Sequence, residues 1–254
     1  MSRKDRLELE NVAFIGRTYR EYMDMFGLDE SLLRGGPALD CPAGPSSFAA
    51  EAYARGFKVV ACDILYNLPA DDLAAKGERD LALIGRQMDD VAHLYRWDYY
   101  GDKAGLMERR AAALKQFLAD FPAGEDEGRY IHAELPRLPF ADGSFRLVLS
   151  SHFLFLYGDR FGPDFHAESL LEMARVSSGE VRIYPLQGLD SRPCPHMHKV
   201  LDILRGRGVA AEIRPTPFEF LKGADRMLFL GPGVFIRQAF KTLDICYNSN
   251  NDCD

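Results

Sequence analysis

The sequence predicts an α/β fold: a doubly wound, mostly parallel seven-stranded sheet with a helical cap inserted after the second strand. Three observations lead there. Short apolar runs alternate with stretches of helical period, the pattern of strand–helix–strand units that build a parallel sheet with helices on both faces. The run Ala38-Leu39-Asp40-Cys41 enters a turn at Gly44, a small-residue helix follows, and Lys58-Val59-Val60-Ala61-Cys62-Asp63 ends on a carboxylate nineteen residues beyond Gly44. About sixty residues then pass with no strand signal before Tyr130. This order is Rossmann-like, and it sets a nucleoside at the carboxyl edge of the sheet.

Each element has its own signal. Residues 5–26 read as a helix with Leu7, Phe14, Tyr22 and Phe26 as apolar positions. Residues 37–41 form the first strand, 46–56 the first crossover helix and 58–63 the second strand. Within 66–129, Leu81, Ile84, Met88, Val91 and Tyr95 keep helical spacing, as do Ala111, Leu114, Leu118 and Phe121. Strands at 130–133 and 145–151 follow, then a helix opening on Asp164 as N-cap and running to Arg175. A strand at 180–185, a helix at 197–205, a strand at 209–214 and the run Met227-Leu228-Phe229-Leu230 complete the order. Residues 1–240 are read as one domain carrying the 66–129 insertion. Residues 241–254, with Asn248-Ser249-Asn250-Asn251-Asp252, are read as a disordered tail.

Composition narrows the classes. A hydrophobic share of 47% suffices for a sizeable core. A formal charge of −7 disfavours nucleic acid as a partner, because that binding rests on phosphate neutralisation. Five cysteines without CxxC spacing argue against a disulfide framework. Arg3, Lys4 and Arg6 are followed by Glu8 and Glu10 rather than an apolar leader, and no run could span a bilayer, so a cytoplasmic protein is expected. Nothing in the chain speaks to its oligomeric state.

The turn after the first strand selects among nucleosides. Gly44 lets the backbone approach a ligand, and the helix from Ser46 is expected to turn its N–H groups toward an anionic group. A dinucleotide's pyrophosphate wants glycines at the positions of Pro42 and Ser47 as well, and Pro42 has no N–H to offer. NAD or FAD is therefore the weaker reading, and S-adenosylmethionine, which carries no phosphate, the stronger. Asp63 is placed to accept hydrogen bonds from both ribose hydroxyls.

The stretch from Tyr130 through Glu134-Leu135-Pro136-Arg137-Leu138-Pro139-Phe140-Ala141-Asp142-Gly143-Ser144-Phe145 to Ser151-His152 reads strand, loop, turn, strand. Here most of residues 35–235 resembles the class I S-adenosylmethionine-dependent methyltransferases, in a divergent, bacterial-type branch. The resemblance implies a final strand running antiparallel. It sets Asp40 and Gly44 on the first cofactor motif and Asp63 on the ribose acid. Glu134 falls on the acid contacting the adenine amino group, and Leu135 on the residue whose N–H meets the ring. It brings Ser151 and His152 beside the methionine portion. Pro42 and Ser46 depart from the family's glycines.

Methyl transfer to a small-molecule acceptor is the activity this implies, with S-adenosylmethionine as cofactor. The alternative is a non-catalytic cofactor- or partner-binding protein on the same fold. His152 is the candidate base, since histidine titrates near neutrality; the plainer alternative is that it shapes the pocket. Trp97 and Tyr99 in the insertion, and Tyr22 in the first helix, are candidate acceptor-binding residues, against the alternative that they pack. The end of strand four lacks the Asn/Asp-Pro-Pro-aromatic signature of amino-group DNA methylases. Cys194-Pro195-His196-Met197-His198 lacks a second ligand cluster, so no metal is expected.

Overall fold

The computed structural model describes residues 3–231. The tail expected at 241–254 lies outside them. Seven strands are described: β1 (Ala38–Asp40), β2 (Val59–Asp63), β3 (Tyr130–His132), β4 (Phe145–Ser151), β5 (Ser177–Tyr184), β6 (Ala211–Pro215) and β7 (Arg226–Leu230). They stand in the order β3-β2-β1-β4-β5-β7-β6. All pairings are parallel except those of β7, which is antiparallel to β5 and β6. The strand order reverses between β1 and β4, so a crevice opens there beyond the carboxyl ends of the strands.

Side-chain alternation along the strands feeds two cores. Ala38, Leu147 and Leu149 point to one face, and Leu39 and Val148 to the other. The helices are α1 (Tyr19–Phe26), α2 (Glu30–Arg34), α3 (Phe48–Ala54), α4 (Ala70–Val91), α5 (Lys103–Asp126), α6 (Pro163–Val176) and α7 (Met197–Gly206). The first core takes residues of α1, α3, α4 and α5, and the second those of α6 and α7. No helix among the described residues is long and apolar enough to cross a membrane.

Two expectations are corrected. Residues 5–18 are not helical; the first helix starts at Tyr19. Thr18 caps it reciprocally with Glu21, and Gly27 closes it with φ of 56°. The helix expected from Asp164 is capped by Gly162 instead, with Pro163 at a first-turn position where its missing N–H costs nothing. At the α3 N-terminus, Ser47 N–H donates to Arg17 O at 3.1 Å and Phe48 N–H to Ser46 Oγ at 3.0 Å, so these two groups are engaged within the chain.

Residues 66–129 form α4 and α5, packed against each other, with their connection held down at two points. Tyr95 bridges to Leu221 and stacks on Phe220 at 4.6 Å, while Arg96 N–H donates to Phe220 O at 2.7 Å. Deeper in, Arg110 of α5 pairs with Glu21 of α1 at 2.5 Å, and both side chains are almost wholly buried. Tyr100 closes the triad, donating its hydroxyl to Glu21 and accepting from Arg110 at 2.8 Å. Burial alone would raise the Glu21 carboxyl; Arg110, the Thr18 N–H and Tyr100 outweigh it and hold the group down at about 2.

Breaking this pair leaves a charge without a partner in an apolar core. Arg110→Met lowers the unfolding free energy in a urea titration by about 3–5 kcal/mol, and adding Glu21→Gln recovers part of that loss.

Candidate functional site

A cavity of about 540 Å³ occupies the crevice at the strand ends. Its floor is the turn Cys41–Gly44, the β2 end at Asp63 to Leu65, the loop Ala133–Leu135 and the β4 end at Ser151 to Phe153. Lys76, Leu81, Ile84 and Met88 of α4, and Leu106, Met107 and Arg110 of α5, form one wall. Residues between Leu7 and Arg17, which pass over the turn as an extended strap, form another. Phe220 and Leu221 close the far end.

Asp63 fixes the near end. Its two oxygens accept N–H bonds from Gly44 at 2.9 Å and from Leu65 at 3.0 Å. Tyr66, one turn further on, donates its hydroxyl to Gly44 O at 2.6 Å. Both peptide groups of the glycine are thus pinned from the end of β2, with Gly44 at φ +55°, a conformation other residues adopt only at a cost. Each Asp63 oxygen keeps a further lone pair. Burial raises its carboxyl above 3.8, against the pull of the Leu65 and Gly44 N–H groups. Glu134 stands exposed at the rim on the β3 side, next to buried Leu135.

The strap crosses directly over the glycine turn. A Cβ on Gly16 would lie 1.9 Å from Pro45 O, so only glycine allows this approach. Side chains of the domain hold the strap's backbone: Phe14 N–H donates to Asp80 at 2.7 Å and Ala13 N–H to the Tyr157 hydroxyl at 3.0 Å.

Six sequence-predicted residues line the cavity together: Gly44, Asp63, Glu134, Leu135, Ser151 and His152. Four do not. Asp40 is fully buried beneath the turn, with Oδ1 accepting from the Tyr22 hydroxyl at 3.0 Å and Oδ2 unpartnered. Burial pushes its carboxyl well above 3.8. Tyr22 gives its hydroxyl to Asp40 and stacks on Phe48 at 4.5 Å. Trp97 donates to Ala92 O at 3.1 Å and lies edge-on to Phe220. Tyr99 donates to Asp24 at 2.8 Å and packs on Tyr100 and Phe218. These aromatics fasten the insertion and α1 to the domain and stand outside the lining of this cavity.

His152 also differs from expectation. It adopts φ of 54°, a sparsely populated region that recurs at functional sites. Its Nδ1 lies 2.8 Å from Ser151 Oγ. Burial holds the imidazole well below 6.5, and the charges of Arg17 and Arg110 act in the same direction. The ring is therefore neutral at neutral pH rather than poised to titrate there.

Sequence reasoning missed Arg17, Gly16 and Lys76. The signal that exposes the first two is Thr18-x-x-Glu21, a capping box that starts the helix at Tyr19 and leaves the residues before it extended.

A neutral, half-buried His152 must take up a proton when the chain unfolds in acid. Its stabilising contribution is complete above its ordinary 6.5 and is lost as pH falls below that value. Thermal melts of the wild type should therefore fall more steeply between about pH 6.5 and 5 than those of His152→Gln.

No family model matches the chain. A protein of Methanocaldococcus jannaschii, described as uncharacterized protein MJ0045, is 30% identical over 225 residues, spanning 88% of this chain and 98% of its own. That relative is archaeal, whereas the motifs pointed to a bacterial-type branch. Among solved structures, a putative S-adenosylmethionine-dependent methyltransferase of Methanococcus maripaludis aligns over 88% of this chain and 96% of its own, at 11% identity and a TM-score of 0.39. The magnesium protoporphyrin IX methyltransferase of Synechocystis, solved with its cofactor bound, aligns over 84% and 77% at 13% identity and a TM-score of 0.40. The strand order and the antiparallel β7 are themselves those of the class I methyltransferase fold. The chain belongs to one family with the MJ0045 protein.

Proposed function

We propose that the cavity binds S-adenosylmethionine and that the protein transfers its methyl group to a small-molecule acceptor. One observation carries this reading. Asp63, at the end of β2, faces the cavity with acceptor capacity on both oxygens and is rigidly oriented by Gly44 and Leu65. Such a carboxylate suits the paired hydroxyls of a ribose. Glu134 and the Leu135 backbone at the neighbouring rim suit an adenine edge. The turn holding Gly44 offers no nest of N–H groups, and the N–H groups of Ser47 and Phe48 are used within the chain. That favours a nucleoside without phosphate.

When bound, the cofactor supplies an electrophilic methyl on a sulfonium. The chain's own part is to hold the acceptor in line and to keep water out. The apolar walls from α4, α5 and the strap serve both ends. In this reading residues 66–129 act as the cap that selects the acceptor. Neutral His152, hydrogen-bonded to Ser151, orients the acceptor or receives its proton at Nε2.

Isothermal titration calorimetry with the purified protein is the test. S-adenosylmethionine and S-adenosylhomocysteine should bind in the micromolar range, and NAD more weakly. Asp63→Ala forfeits two charge-assisted hydrogen bonds, each worth about 1.5–3 kcal/mol, and should weaken binding about a hundredfold or more. Tighter binding of NAD than of S-adenosylmethionine would overturn the reading. Binding without label transfer to any fraction of a metabolite extract would favour a non-catalytic role.

A further inference from the structure

Arg17 lines the cavity as a cation for which the described residues supply no carboxylate partner. Its side chain is half-buried and lines the cavity. Nη1 donates to Ile15 O at 2.9 Å, within the same strap. Nε is closed to solvent and has no partner. Among the described residues no carboxylate forms an ion pair with it. The nearest candidate, Glu21, is committed to Arg110 and Tyr100. Lys76, the other strap-side cation, is paired with Asp80 at 3.0 Å.

An uncompensated guanidinium in an apolar cavity is costly in the empty protein. Burial and the charge of Arg110 hold it down to about 10. Its charge reaches His152, Tyr95 and Tyr157, on the side of the cavity away from Asp63. We propose that Arg17 anchors a carboxylate at the far end of the cavity. One singly charged cation in a cavity also lined by Ile15, Tyr95, Leu156 and Phe220 fits one singly charged planar anion. A phosphate dianion would want more donors than this end provides.

The proposal rests on the methyl-transfer reading for its two possible carboxylates: that of the acceptor, on an otherwise apolar body, or that of the cofactor's methionyl part. Arg17→Met and Arg17→Lys separate them. The first readout is calorimetric affinity for S-adenosylmethionine against its decarboxylated analogue. The second is affinity for octanoate, in the presence and absence of S-adenosylhomocysteine. If Arg17 holds the cofactor, the wild type prefers the carboxylated form about ten- to hundredfold and Arg17→Met loses that preference. If it holds the acceptor, the preference is unchanged, octanoate binding drops by a similar factor in Arg17→Met, and Arg17→Lys retains part of it.

A third readout separates an anchor from a structural arginine. Removing the unpaired cation should raise the melting temperature of the ligand-free protein by about 2 °C or more. An Arg17→Met variant that is destabilised, or one that keeps both the octanoate affinity and the cofactor preference, overturns the proposal. Arg17-dependent octanoate binding without any affinity for S-adenosylmethionine would uphold the anchor and sink the methyl-transfer reading alone.

Discussion

The buried pair between Glu21 and Arg110 organises more of this molecule than any other single contact. It joins α1, which packs on the sheet through α3, to α5, the second helix of the insertion. Tyr100 draws the end of the α4–α5 connection into the same triad. The position of the cavity's helical wall follows from this one charge pair. So does the electrostatics inside. Because Glu21 is fully engaged, the second arginine nearby, Arg17, faces the cavity without a carboxylate of its own. A buried acid shared between two arginines would have left neither free; here the fold gives it wholly to one.

At the other end, Asp63 plays a comparable part on a smaller scale. A single carboxylate closes the gap between two loops by accepting one N–H from each, and Tyr66 adds a third tie to Gly44. The result is a rigid acceptor at the point where the sheet's strands end. The cavity is thereby polarised: carboxylates at the β2–β3 side, an arginine at the other, and apolar walls between. Such an arrangement orients a ligand that is itself polar at both ends.

Much of the fold was legible because it rests on local periodicity. Every strand was anticipated within a few residues, since apolar runs such as Val59 to Cys62 and Phe145 to Leu149 can be buried only in a sheet covered on both faces. The helical spacing of Leu81, Ile84 and Met88 was visible for the same reason. The N-terminal strap was misread because Leu7, Phe14, Tyr22 and Phe26 mimic a helical face, although Gly16 and the capping box at Thr18 mark where the helix begins. That Trp97, Tyr99 and Tyr22 stand off the cavity was not legible, because an aromatic beside charges looks alike in sequence whether it meets a ligand or a neighbouring helix. Only the partners distinguish them, and those partners, Ala92, Asp24 and Asp40, answer to no spacing rule.

What the sequence determined by itself was the order of strands and helices, the turn at Gly44 and the carboxylate at the end of β2. These depend on backbone geometry and on the period of burial, which neighbours along the chain express. What the tertiary structure decided was which charges are neutralised. Glu21 and Arg110 stand 89 residues apart, and Phe14 and Asp80 66 residues apart. Pairing over such distances is set by how helices pack and where an extended strap happens to cross. Whether a given arginine ends in a salt bridge or faces a cavity is therefore a property of the folded chain, not of the residues around it in sequence.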